Sequence, residues 1–157
     1  MLLNLIAKIW NAFGSPVRRH VAWLIHSKFT HGVCGVILDA EGRVLLLKHR
    51  FWKDQRWGLP GGLAKHGETP AETLRRELRE EIGLQVTPTK LLRVITSRGR
   101  MAVFTLLAEY SGEPVVRSVE IMEARFWERT ELPANLLPEH REVLESGNWE
   151  GMGLEER

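Results

Sequence analysis

Cysteine is almost absent from this 157-residue chain: Cys34 is the only one, so neither an intramolecular disulfide nor a cysteine-built zinc site can form. Its setting, Gly32-Val33-Cys34-Gly35-Val36, reads as that of a small buried hydrophobe. Net charge is also scarce, +2 from 22 basic and 20 acidic residues, which excludes a dominant electrostatic nucleic-acid binder. No apolar run approaches the roughly 18–20 residues that cross a bilayer. The opening MLLNLIAKIWNAFG shows no basic leader and no obvious small-residue cleavage site, so a secretory signal is not expected. Nothing demands an oxidising compartment, and the expectation is a cytoplasmic protein, soluble or at most peripheral. Repeats and low-complexity tracts are lacking too. An apolar content of 43% with 27% charged residues is ordinary for one folded domain.

What charge there is lies unevenly. Residues 1–38 hold four bases and no acid, whereas residues 113–157 hold 11 acids against 5 bases. Two short helical patterns open the chain. Leu2, Leu5, Ile6, Ile9 and Phe13 recur at helical spacing, Gly14-Ser15-Pro16 interrupts, and Val17 to Phe29 places Val21, Leu24 and Ile25 together. The expected role of residues 1–30 is an amphipathic helical segment packing on the main domain or on a second copy of the chain. A basic helix lying on an anionic membrane is the lesser alternative.

From Gly32 the period shortens. GVCGVIL and RVLLLKH flank Asp39-Ala40-Glu41-Gly42, a strand–turn–strand signal. A loop from Arg50 to Gly67 follows, then a helix over 70–82, strands over 91–97, 101–110 and 124–128, and a closing helix from Leu136 to Ser146. Residues 31–147 thus read as one α+β domain, a mixed sheet with a central helix on it, and 148–157 as a frayed tail.

The helix at 70–82 carries its own boundaries. Thr69 and Glu72 form a T-x-x-E capping box, Pro70 fits the first turn, and Gly83 fits a left-handed C-terminal residue. In that register Glu77, Glu80 and Glu81 share an arc about 100° wide beside the apolar arc of Leu74, Leu78 and Ile82. Taken alone, such acids are a solvated face relieved by Arg75, Arg76 and Arg79. The alternative is an oxygen-ligand site for a hard divalent cation, and the glycine loop immediately upstream decides for it.

Residues 62–84 read GLAKHGETPAETLRRELREEIGL: Gly62, five residues, Glu68, seven residues, Arg76-Glu77, Leu78, one residue, Glu80-Glu81, one residue, Gly83, Leu84. This resembles the Nudix box in full, and the Trp57-Gly58-Leu59-Pro60-Gly61-Gly62 approach and the Glu120…Phe126-Trp127 region extend the likeness over roughly residues 32–146. The resemblance implies the Nudix α/β/α sandwich; the N-terminal accessory helices lie outside it and are expected from the helical spacing alone. The resemblance also implies hydrolysis of a nucleoside diphosphate linked to another moiety, with Mg²⁺ or Mn²⁺ as cofactor. Carried over by position, Glu77, Glu80, Glu81 and the Gly61 carbonyl would bind metal, while Arg76 and Glu68 would pair and hold the loop. Glu120 is the expected further acid, as metal ligand or base, with Glu123 its competitor and Glu77 an alternative base.

Lys48, His49, Arg50, Lys53, Arg56, Lys65 and His66 make the loop basic, and Arg50 and Arg56 suit a polyanionic substrate. Phe51, Trp52 and Trp57 interleave with them, Trp52 as the better base-stacking candidate and Trp57 as a packing residue. Arg98 and Arg100, in a turn between strands, could also reach a substrate. The position where ADP-ribose enzymes of the family carry proline and dinucleoside polyphosphate enzymes carry tyrosine falls on Arg100, followed by Met101 and Ala102, so the leaving group is not readable. The alternatives to a small-nucleotide pyrophosphohydrolase are an RNA 5′-end pyrophosphohydrolase and a non-catalytic nucleotide-binding sensor. The partners expected are a nucleotide-type small molecule and a second copy of the chain, rather than nucleic acid or membrane.

Overall fold

The computed structural model describes residues 14–25, 29–97, 101–147 and 152–153. In chain order the elements are α1 (Ser15–Ile25), β1 (Thr30–Ile37), β2 (Val44–His49), β3 (Trp57–Gly58), β4 (Gly61–Leu63), α2 (Pro70–Ile82), β5 (Gln85–Ser97), β6 (Met101–Ser111), β7 (Ile121–Trp127), α3 (Pro138–Ser146) and β8 (Met152–Gly153). A single 3₁₀ turn, Lys53–Gln55, lies between β2 and β3. The helical pattern of residues 2–13, His26, Arg98 and Arg100 fall outside the described residues. Among the described residues no helix is long and apolar enough to cross a membrane.

The strands form two sheets, β4-β1-β6-β5-β8 and β3-β2-β7, the first of them the mixed sheet expected. β1 runs parallel to β6 and antiparallel to β4, while β2 is antiparallel to both β3 and β7. Because successive side chains point to opposite faces, β1 and β2 feed two cores at once. Val33, Ile37, Leu45 and Leu47 meet Leu74, Leu78 and Ile82 of α2 on one side. Cys34, Val36, Val44 and Leu46 meet Trp57, Leu59 and, from α3, Val143 and Leu144 on the other. A helix on each face explains why β2 is apolar at successive positions instead of alternating. The layers are those of an α/β/α sandwich.

α2 has the limits its sequence predicts. Thr69 Oγ1 accepts from the Glu72 N–H at 3.2 Å, the Glu72 carboxylate accepts from the Thr69 N–H at 2.8 Å, and Gly83 closes the helix at φ +68°. Strand limits follow the sequence less closely. β5 begins at Gln85, six residues early, because Pro88 sits at a register shift where its missing N–H interrupts no ladder bond. β7 begins at Ile121, and α3 starts only at Pro138. The tail is not wholly frayed: Met152 and Gly153 pair with Leu91 and Lys90.

These contacts set two graded outcomes for urea denaturation. Thr69→Ala should lower the unfolding free energy by about 1 kcal/mol, the worth of an N-cap. Leu78→Ala, which opens a cavity at a fully buried position, should cost about 2–5 kcal/mol.

Candidate active site

The glycine strand and the acidic helix touch through atoms that two glycines lack. Gly61 pairs with Cys34, and a Cβ added there would collide with the Val33 carbonyl. A Cβ at Gly62 would occupy the place of the Glu77 carboxylate. The sequence Gly61-Gly62 therefore lets β4 lie directly on β1 while Glu77 packs across it.

Arg76 is the hub that holds this loop to α2. Its Nε donates to Glu68 Oε1 at 2.6 Å, and its Nη2 donates to Glu68 Oε2 and to the Leu63 carbonyl, both at 2.9 Å. Its Nη1 lies 2.9 Å from Glu77 Oε1 and 3.4 Å from Glu80 Oε2. Glu68 also accepts from the Lys65 N–H at 2.8 Å and from Thr73 Oγ1 at 3.2 Å. The Arg76 guanidinium, aided by the Lys65 N–H, holds the Glu68 carboxyl down to about 2. Glu68 is thus a fixed anion that fastens the loop, unsuited to carrying protons near neutrality.

The three helix acids differ in exposure. The Glu80 side chain is 50% exposed, that of Glu77 is 16% exposed, and the Glu81 residue is only 8% exposed. Glu81 Oε2 is buried with no hydrogen-bond partner. Burial, then the nearby charges of Glu77, Glu120 and Glu80, pushes the Glu81 carboxyl up to about 8.

The fourth acid arrives through the end of α2. Helices leave their last carbonyls unpaired, and here a loop supplies the donors. The Glu81 carbonyl accepts from the N–H groups of Arg117 at 2.7 Å and Ser118 at 3.2 Å, and the Ile82 carbonyl accepts from Val115 at 2.8 Å. This docking brings Ser118 and Glu120 beside the helix, where they line an open cleft with Glu77, Glu80 and Glu81. Arg50 fixes the same loop from the other side: its N–H donates to the Glu120 carbonyl at 2.8 Å and its Nε to the Val119 carbonyl at 2.9 Å. Glu123, the competitor for this role, is exposed on β7 opposite Lys48 and does not line the cleft.

The structure bears on one substrate-side expectation in particular. The Trp52 ring stacks on His49, centroids 3.7 Å apart and 9° from parallel, and its edge is pressed against Gly58. One face and one edge of the ring are thus taken up by protein neighbours. Phe51 is the ring left open, at 72% exposure, directly after Arg50. Arg56 is half-buried, with its Nη2 3.9 Å from Asp54 Oδ2. Trp57 is buried edge-on to Trp127. Sequence reasoning passed over Ser118 and His140, and neither has a local signal: His140 Nδ1 accepts the Leu59 N–H at 2.9 Å from 81 residues away.

Among the described residues no three His, Cys, Asp or Glu side chains are already arranged to clasp a metal ion. The donor chemistry nevertheless suits a hard divalent cation: four carboxylates face one cleft, and one of their oxygens is buried unpaired.

A sandwich that presents clustered acids beside a glycine strand defines a class of hydrolases, and comparison with known proteins identifies it. The family model for the NUDIX domain matches residues 28–146, so the chain belongs to the Nudix family. It is 34% identical over 109 residues to the 8-oxo-dGDP phosphatase of Homo sapiens, an alignment covering 66% of this chain and 34% of that protein. It is 28% identical over 114 residues to the ADP-ribose pyrophosphatase of Methanocaldococcus jannaschii, covering 69% of this chain and 67% of that one. The MutT NUDIX hydrolase from Burkholderia pseudomallei superposes with a TM-score of 0.69 at 27% identity, over 77% of this chain and 99% of that one. The matched part is about a third of the length of several curated relatives, from 26% to 34%.

The raised Glu81 carboxyl gives a pH signature in metal-free protein. A carboxyl whose folded pKa lies above its unfolded value contributes stability at low pH that is lost as pH rises through the folded pKa. Removing the charge with Glu81→Gln should therefore stabilise the protein relative to the wild type progressively from about pH 4.5 to about pH 8, and no further above. Urea melts in chelator across that range check it.

Proposed function

We propose that this Nudix hydrolase is a divalent-metal-dependent pyrophosphohydrolase acting on the phosphoanhydride of a nucleoside diphosphate joined to a sugar, a nucleotide or a further phosphate. The observation that carries the reading is the convergence of Glu77, Glu80, Glu81 and Glu120 on one cleft, with Glu81 buried and one of its oxygens unpaired. Four like charges are held together by the fold at a cost, and a bound cation relieves it. Glu77, Glu80, Glu81 and the Gly61 carbonyl would hold Mg²⁺ or Mn²⁺. Such a cation supplies charge neutralisation on the phosphates and a more acidic bound water.

The remaining work belongs to the chain. Arg76, clamped by Glu68, keeps Glu77 and Glu80 in place across the glycine strand. Glu120 lies in the same cleft on a loop tethered by Arg50, and takes the proton of the attacking water. Arg50, bonded to the loop that carries Glu120, and Arg56 would attract the polyphosphate. Phe51, rather than Trp52, offers its face to the base. The relatives named for 8-oxoguanine nucleotides and for ADP-ribose supply the first substrates to try.

Phosphate or nucleotide release should be measured over a panel of nucleoside diphosphate derivatives with Mg²⁺ and with Mn²⁺. Turnover of at least one member, abolished by chelator, is expected. Glu80→Gln, Glu81→Gln and Glu120→Gln should each lower kcat by about 100-fold or more while keeping the fold. Binding without turnover across the panel would favour a nucleotide sensor instead. For the substrate found, Phe51→Ala should raise KM roughly tenfold with kcat little changed, since a base stack is worth ~1–3 kcal/mol.

A further inference from the structure

The segment Leu59–Gly62 carries the glycine strand into the site, and its backbone is pinned one residue at a time. The Pro60 carbonyl accepts the Gly35 N–H at 2.8 Å. Gly61 lies under the Val33 carbonyl, and Gly62 lies under Glu77. Pro60 has no N–H, so the Leu59 N–H is the last backbone donor before Gly61. That donor goes to no carbonyl. It goes to Nδ1 of His140, on the first turn of α3, at 2.9 Å.

The chain leading into α3 splints the same strand. Trp57 donates to the Asn135 carbonyl at 3.3 Å and accepts from the Leu137 N–H at 3.0 Å, so His140 extends a ladder already under way. Gly58 has no side chain because Trp52 and His140 fill that space. Trp52 lies in turn against His49 on its face and near His140 at 6.4 Å between centroids. His140 is therefore wedged by its neighbours with one nitrogen aimed at the Leu59 amide. Accepting through Nδ1 requires the neutral ring with its proton on Nε2, and burial keeps it so by lowering the imidazole to about 4.

We infer that His140 is a positioning residue for the active site: through the Leu59 amide it sets the depth at which Gly61 and Gly62 lie against β1 and Glu77. The inference rests on the proposed metal role of Gly61 and Glu77, and makes α3, on the opposite side of the sheet from α2, part of the support of that site. Outer partners of metal ligands commonly change metal affinity or activity by about 10–100-fold.

Two variants separate positioning from mere packing. His140→Leu fills the space and removes the acceptor, whereas His140→Asn keeps an acceptor oxygen near the place of Nδ1. The expected result for His140→Leu is faster hydrogen exchange at the Leu59 amide and at Gly61–Leu63. The Mn²⁺ concentration for half-maximal turnover should also rise by about 10-fold or more, with substrate KM unchanged. His140→Asn should return both readings to within about threefold of the wild type. The inference is overturned if the leucine variant loses stability to urea while its exchange at Gly61–Leu63 and its Mn²⁺ response match the wild type. It is equally overturned if asparagine does no better than leucine. A wild type without metal-dependent turnover would defeat the proposed function instead, and the amide exchange would still decide the role of His140.

Discussion

Repulsion among four carboxylates is the constraint around which the site of this Nudix-family protein is built. Glu77, Glu80, Glu81 and Glu120 face one cleft, where Arg76 reaches Glu77 and Glu80 and Lys65 lies 3.7 Å from Glu80. Glu81 is buried among like charges, which is why its carboxyl holds its proton well above the usual range. An exposed acidic helix face needs no such arrangement, because water and the neighbouring arginines would screen it. Keeping the acids convergent requires rigid elements on every side. The apolar stripe of α2 anchors one wall, and the loop over residues 115–120 supplies the other.

That second wall shows how ordinary backbone chemistry builds a site. The terminal carbonyls of α2 need donors, and the N–H groups of Val115, Arg117 and Ser118 provide them. The same hydrogen bonds that finish the helix deliver Glu120 to the acids one turn back. Arg50 then fastens the loop to the end of β2, so a residue expected to meet substrate also sets the position of an acid. Glu68 and Arg76 do the corresponding work on the glycine side. Glu77 and Glu80 are held by Arg76, and the backbone of Glu120 by Arg50, neither of which lines the cleft.

How legible each part was in the sequence follows from how local its cause is. The limits of α2 are set by Thr69, Pro70, Glu72 and Gly83 within the helix itself, and the sequence shows them. β3, β4 and β8 are two or three residues long and exist only through their pairing partners, so no pattern announces them. Pro88 argues against a strand until a bulge accommodates it. Glu80 and Glu81 sit on one predicted arc, yet their exposure differs sharply because the loop over residues 115–120 covers only one of them. Phe51 and Trp52 are adjacent rings in a basic loop. The stacking of Trp52 on His49 separates them, a contact that no local pattern shows. His140 contacts a backbone amide far away in sequence, a relation that only folding creates.

The most direct test of the cleft as a cation site is equilibrium Mn²⁺ binding, read from the spin signal of the free ion. Wild-type protein should remove Mn²⁺ from solution saturably, and Glu80→Gln and Glu81→Gln should each weaken that uptake while Glu123→Gln leaves it unchanged. Uptake that is absent in the wild type, or equal in all four proteins, would contradict the account.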